Sequence, residues 1–108
     1  MSRLALAQGM LDGTIERMIA SGRFGDEAKA RAAVGEPLAA YVAAVRSDRA
    51  TATAARDVFT EAVWTVSAEG GLGEQSDQVQ DLFSAFLDYE AEMRKEGGPI
   101  AIDPAFGQ

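Results

Sequence analysis

The sequence predicts an all-α fold, a small single-domain bundle of about five helices with an irregular C-terminal tail. Three observations lead there. Apolar residues recur at helical spacing in segments that glycine, proline and capping residues separate. Alanine, the best helix former, is enriched between Ala28 and Ala62. Strand-like alternation is confined to residues 3–8. Helices joined by short loops pack as a bundle. The domain spans residues 1–96, and residues 97–108 form the tail.

The first helix opens at Ser2 as N-cap and places Leu4, Leu11, Ile15, Met18 and Ile19 on one stripe before Gly22 stops it. Gly9 and Gly13 weaken it by about 1 kcal/mol each relative to alanine. Residues 3–8 therefore have an extended alternative, with Leu4 and Leu6 alternating against Arg3, Ala5 and Ala7. Asp26 caps a short second helix that runs through Val34 and ends at Gly35. Pro37 suits the first turn of a third helix, whose buried face is Leu38, Tyr41, Val42 and Val45. Ser47 or Asp48 caps the fourth, which runs to about Glu69 with a stripe of Ala55, Val58, Phe59, Ala62, Val63 and Val66. Ser76 caps the fifth, whose inner face is Val79, Leu82, Phe83, Phe86, Leu87 and Met93, and Gly97-Gly98-Pro99 ends it. In the tail, Ile100, Ile102 and Phe106 are the residues able to dock.

Of 108 residues, 47% are hydrophobic and 25% charged, and 17 acids face 10 bases for a formal charge of −7. One domain of this length can support its own core. There is no cysteine and no histidine. Disulfides, thiol nucleophiles and Ser-His-Asp or Cys-His catalysis are therefore excluded, together with the usual zinc and haem ligands. No catalytic set, metal or cofactor is expected. A pI near 4.4 argues against direct binding of nucleic acid or anionic lipid, which needs clustered Lys and Arg. The start lacks the apolar core of a signal peptide, and no run approaches the roughly 18 apolar residues of a membrane span. A cytoplasmic location is the default expectation.

The surplus of acid is unevenly placed. Residues 1–34 hold five bases and four acids, net +1, whereas residues 35–108 hold five bases and thirteen acids, net −8. On the fifth helix Asp77, Asp81, Asp88 and Glu92 fall on one face at about 100° per residue. That face is either a solvated exterior or a negative strip for a basic partner. Carboxylates on one helix cannot surround a metal ion, and the ExxH histidine of carboxylate bundles is absent. Trp64 lies off the main stripe of the fourth helix, beside Asp57 and Glu61. Tryptophan is enriched at binding hot spots, so Trp64 is the first candidate contact unless helix one or the tail covers it. Glu90 falls in the apolar stripe of the fifth helix, at the rim of the bundle. There it either reaches solvent or pairs with Arg46, Arg49 or Arg56. Tyr41 and Tyr89 read as core-edge residues. Gly70-Gly71-Leu72-Gly73 follows a helix and lacks the GK[ST] ending of a phosphate loop, so it reads as a linker. Neither Lys29 nor Lys95 has a serine at the spacing of a Ser-Lys pair.

Residues 11–34, LDGTIERMIASGRFGDEAKARAAV, carry Leu11, Ile15 and Ile19 followed by a Ser-Gly-Arg-Phe turn, and this segment resembles the helix-turn-helix half of ParD-type antitoxins. The resemblance implies a ribbon-helix-helix dimer through a strand at residues 3–7 that reads DNA, and a C-terminal part that neutralises a toxin. Residues 37–96 form a further helical unit outside that pattern. The expected function is thus non-enzymatic protein–protein binding, as an adaptor, an assembly factor or an inhibitor. A phage- or mobile-element-encoded inhibitor of a nucleic-acid-binding host complex belongs to that class. The alternative is the ParD-like antitoxin. The expected partner has a basic surface and meets Trp64, Asp57, Glu61, Asp77, Asp81, Asp88 and Glu92. A homodimer would follow if helices one and two pair with a second copy.

Overall fold

The structure is a computed structural model that describes residues 2–95. Four helices, not five, build it: α1 (Arg3–Ile19), α2 (Glu27–Ala44), α3 (Arg49–Glu69) and α4 (Asp77–Lys95). There is no strand among the described residues. The tail at residues 97–108, with Ile100, Ile102 and Phe106, lies outside them. No helix is long and apolar enough to cross a membrane, among the described residues.

Each helix begins on a side chain that accepts from an otherwise unbonded backbone N–H. Ser2 Oγ accepts from Ala5 at 3.0 Å, Asp26 from Lys29 at 3.0 Å, Asp48 from Thr51 at 2.8 Å and Ser76 Oγ from Val79 at 3.2 Å. Between Ser47 and Asp48 it is Asp48 that caps, and Ser47 Oγ and Thr51 Oγ1 donate to its second oxygen. Those bonds hold the Asp48 carboxyl below its ordinary pKa. Residues 3–8 are helical, so the extended alternative is not adopted and the strand implied by the ParD resemblance is a helix here. Ala7, Leu11, Ile15 and Met18 are all buried, and that stripe outweighs the two glycines.

The expected break between helices two and three does not occur, and Gly35 and Pro37 sit inside one continuous α2. Pro37 deprives the helix of one N–H and costs about 3 kcal/mol, and Gly35 about 1 kcal/mol. Against that, Ala30, Val34, Leu38 and Tyr41 recur at spacings of four, four and three and are buried without interruption. Burying each large apolar side chain contributes about 1.5–3 kcal/mol, so the packed face carries the helix past both breakers.

α1 packs mainly along α4 and α2 along α3, while α1 meets α2 over a short stretch. The core joins the two pairs through Leu11, Met18, Val34, Tyr41, Phe59, Val63, Leu82 and Phe86. At the end of α3 the N–H of Leu72 donates to Ser67 and that of Gly71 to Ala68, with Gly71 at φ +74°. This Schellman closure needs the left-handed conformation that glycine adopts freely. The Ser21–Gly25 turn docks on the same end. Arg23 points a guanidinium at the Gly70 carbonyl, 3.4 Å away. The Phe24 ring lies where a Cβ on Gly70 would be 2.6 Å from it.

Two stability predictions follow from these positions. Gly35 faces open space, so Gly35→Ala should raise the unfolding free energy by about 0.5–1 kcal/mol in urea titrations. A loss would mean that α2 is interrupted there. Gly70→Ala should cost about 1–3 kcal/mol by overpacking against Phe24, and much less in a Phe24→Ala background. Equal costs in the two backgrounds would refute the contact.

Candidate functional site

Three polar features compete as the site, and the most buried is a network around Glu90. Its carboxylate is not at the rim. It is 0% exposed, on the inner face of α4. Arg56 Nε donates to Oε2 at 2.7 Å and Nη2 to Oε1 at 2.9 Å, while the Tyr41 hydroxyl donates to Oε2 at 2.6 Å. Arg56 is one of the three arginines the sequence offers as partners for Glu90. Its guanidinium also lies 5.2 Å from the centroid of the Phe86 ring, which in turn packs on Tyr41 and Phe59. Tyr41 is therefore a central core residue, not an edge one. Its pKa is pushed well up, first by burial and then by the Glu90 carboxylate that its hydroxyl serves. Both oxygens of Glu90 are occupied, so the network reads as internal bracing that links α2, α3 and α4.

Trp64 is on the surface. It is 37% exposed and stacks on Phe83 of α4 with ring centroids 4.9 Å apart. Thr60, Phe86 and the buried flank of Arg56 complete a shallow dent of about 200 Å³ at its base, which Leu87 also lines. No α1 residue lines that dent, and a cover by the tail falls outside the described residues. Two stripe residues are also displaced from their expected burial: Leu87 is 42% and Val58 59% exposed. Val58 stands in a broad groove of about 580 Å³ between α2 and α3, floored by Ala33, Ala62 and Val66 and edged by Asp57, Glu61 and Glu69. Around α3 the order is thus Trp64, then the Asp57–Glu61 ridge, then the Val58 groove. Two apolar strips flank a line of carboxylates on one helix face.

The α4 acids are arranged differently. Asp77, Asp81 and Asp88 are exposed, whereas Glu92 is half-buried with Lys95 Nζ 3.3 Å from its carboxylate. Asp77 and Asp81 border a cleft with Thr14, Arg17 and Ser21 of the α1 end, away from the Trp64 dent. The candidate contacts therefore divide into an α3 group, Trp64, Asp57 and Glu61, and a separate α4 edge. Among the described residues no cluster of acids is placed to hold a metal ion. Comparison with protein-family models, curated proteins and solved structures finds no match.

The chain's two tyrosines give this core a titration signature. Burial raises the pKa of both Tyr41 and Tyr89. A folded pKa above the unfolded value of 10.0 means that their contribution to stability is intact below pH 10 and is lost as the pH rises further. The Tyr41 share of the tyrosinate absorbance should therefore appear only together with unfolding. Ordinary titration of both tyrosines near pH 10 with the helical circular dichroism unchanged would contradict the burial of Tyr41. In the network itself, Glu90→Ala should cost about 3–5 kcal/mol by leaving Arg56 without its carboxylate, whereas a joint Glu90→Leu/Arg56→Met replacement should cost far less.

Proposed function

We propose that this chain is a non-catalytic binding module whose α3 face docks a basic region of a protein partner. The observation that carries the reading is the exposure of Trp64 and Val58 on either side of Asp57 and Glu61, on a helix whose opposite face is locked into the core. Scattered exposed apolar residues are ordinary on any protein. Here Trp64 is continuous with Phe83 and Leu87, and a contiguous apolar patch is the form that binding surfaces take. Trp64 would supply the desolvated anchor and the carboxylates the orientation and the rate of encounter. Asp77, Asp81, Asp88 and Glu92 would extend the negative field along α4 as a second contact region. Such a field reaches about 8 Å at physiological salt. A partner that normally holds nucleic acid in a basic groove has the complementary chemistry, and occupying that groove would inhibit it.

The test is affinity capture with the intact chain, followed by affinity measurement on the partner recovered. Trp64→Ala should weaken the complex roughly 30-fold, the scale of a 2 kcal/mol hot spot. Asp57→Lys/Glu61→Lys should lower the association rate and flatten its salt dependence. Retention of full affinity by both variants, with unchanged thermal unfolding, would remove the α3 face from the reading.

A further inference from the structure

A larger concavity, about 670 Å³, opens where α1 and α2 diverge, with Tyr89 of α4 at its back. Its volume falls within the roughly 300–1,000 Å³ of small-molecule sites. The side walls are apolar, with Leu11 and Ile15 from α1 and Leu38 and Val42 from α2. Gly35, outward on α2 with nothing within 4 Å of where a Cβ would stand, helps to keep it open. Arg31 and Glu16, 2.6 Å apart, bridge the two helices at one end. The stretch of α2 from Arg31 to Ala43 holds thirteen residues, about 18 Å of helix between the first and the last.

The other end is polar. Tyr89 is only 3% exposed, and its hydroxyl has no hydrogen-bond partner among the described residues. Burial pushes its pKa up, Arg46 draws it back and Asp12 adds to the rise. Both neighbours line the concavity, which puts the hydroxyl at their end. Arg46 is exposed and makes no ion pair among the described residues. A hydroxyl without an acceptor and a guanidinium without an ion pair thus stand together at the end of an apolar trough.

We infer that this groove binds a small amphipathic carboxylate, with its apolar body along Leu11, Ile15, Leu38 and Val42 and its head group on Tyr89 and Arg46. The hydroxyl donates to one carboxylate oxygen and the guanidinium faces the other. Asp12 stands at the same end and selects against a second negative charge, so a monoanionic carboxylate fits where a phosphate does not. This site is independent of the α3 face.

Dodecanoate, kept below its micelle concentration, is the probe, and amide and methyl NMR shifts of the intact chain are the readout. Saturable shifts at Leu11, Leu38, Val42 and Tyr89, with the Trp64 indole unmoved, are expected. Tyr89→Phe and Arg46→Gln should each weaken binding roughly tenfold, the scale of a hydrogen bond to a charged group. Val42→Trp should abolish it by filling the trough. Dodecanol and dodecyl phosphate should bind more weakly than dodecanoate. Shifts centred on Trp64 and Leu87, full affinity in Tyr89→Phe and Arg46→Gln, or equal binding of dodecanol would each overturn the assignment.

Discussion

An ionised carboxylate with no exposed surface must be answered from within, and Glu90 is answered from two other helices at once. Tyr41 comes from α2 and Arg56 from α3, so three helices share one point of register. A buried ion pair often stabilises a fold no more than an apolar replacement would, but it punishes any arrangement that separates its members. A slip of α4 by one turn would strand a carboxylate and a guanidinium together. That penalty fixes how α4 lies on α3, and the outer surface inherits the geometry. Trp64, two turns beyond Arg56, meets Phe83, two turns before Glu90. The exposed aromatic pair and the buried ion pair are successive rungs between the same two helices.

Local signals in the sequence were sufficient wherever the structure uses local chemistry. Ser2, Asp26, Asp48 and Ser76 cap the helices that follow them because a short polar side chain before a helical stripe satisfies a nearby N–H whatever the tertiary context. Gly71 and Leu72 close α3 for a similarly local reason. Gly35 and Pro37 misled because their penalty is local while the compensating burial of Val34, Leu38 and Tyr41 is supplied by other helices. Val58 and Leu87, which spacing alone assigns to the core, are left at the surface.

The candidate site was legible in the same uneven way. Trp64, Asp57 and Glu61 stand out because they depart from the stripe of their own helix, which is a property of one segment. The acidic row on α4 was equally visible, yet its placement beside Arg17 and away from Trp64 depends on which side of α4 each neighbour occupies. Glu90 announced a conflict, a charge within an apolar stripe, and Arg56 was one of three partners within reach. Tyr41 as second donor could not be found that way, because its distance from Glu90 is set only once α2 is one continuous element packed against α3. The trough between α1 and α2 left no sequence signal at all, since a cavity is made by the divergence of two helices and not by the composition of either.

α4 is the shared wall of both surfaces, with Phe83 and Leu87 toward α3 and Tyr89 toward α1. Tyr89 and Glu90 are sequence neighbours, so a pull on the Tyr89 hydroxyl acts on backbone that the Arg56 and Tyr41 bonds already hold. Coupling between two sites requires that a ligand favour one of two arrangements of the element between them. Here the alternative arrangement of α4 would have to break three short hydrogen bonds to a carboxylate that has no solvent to replace them. The physical consequence is insulation. The interaction that positions the outer face of α3 also keeps events in the trough from reaching it, so the two surfaces can be altered one at a time.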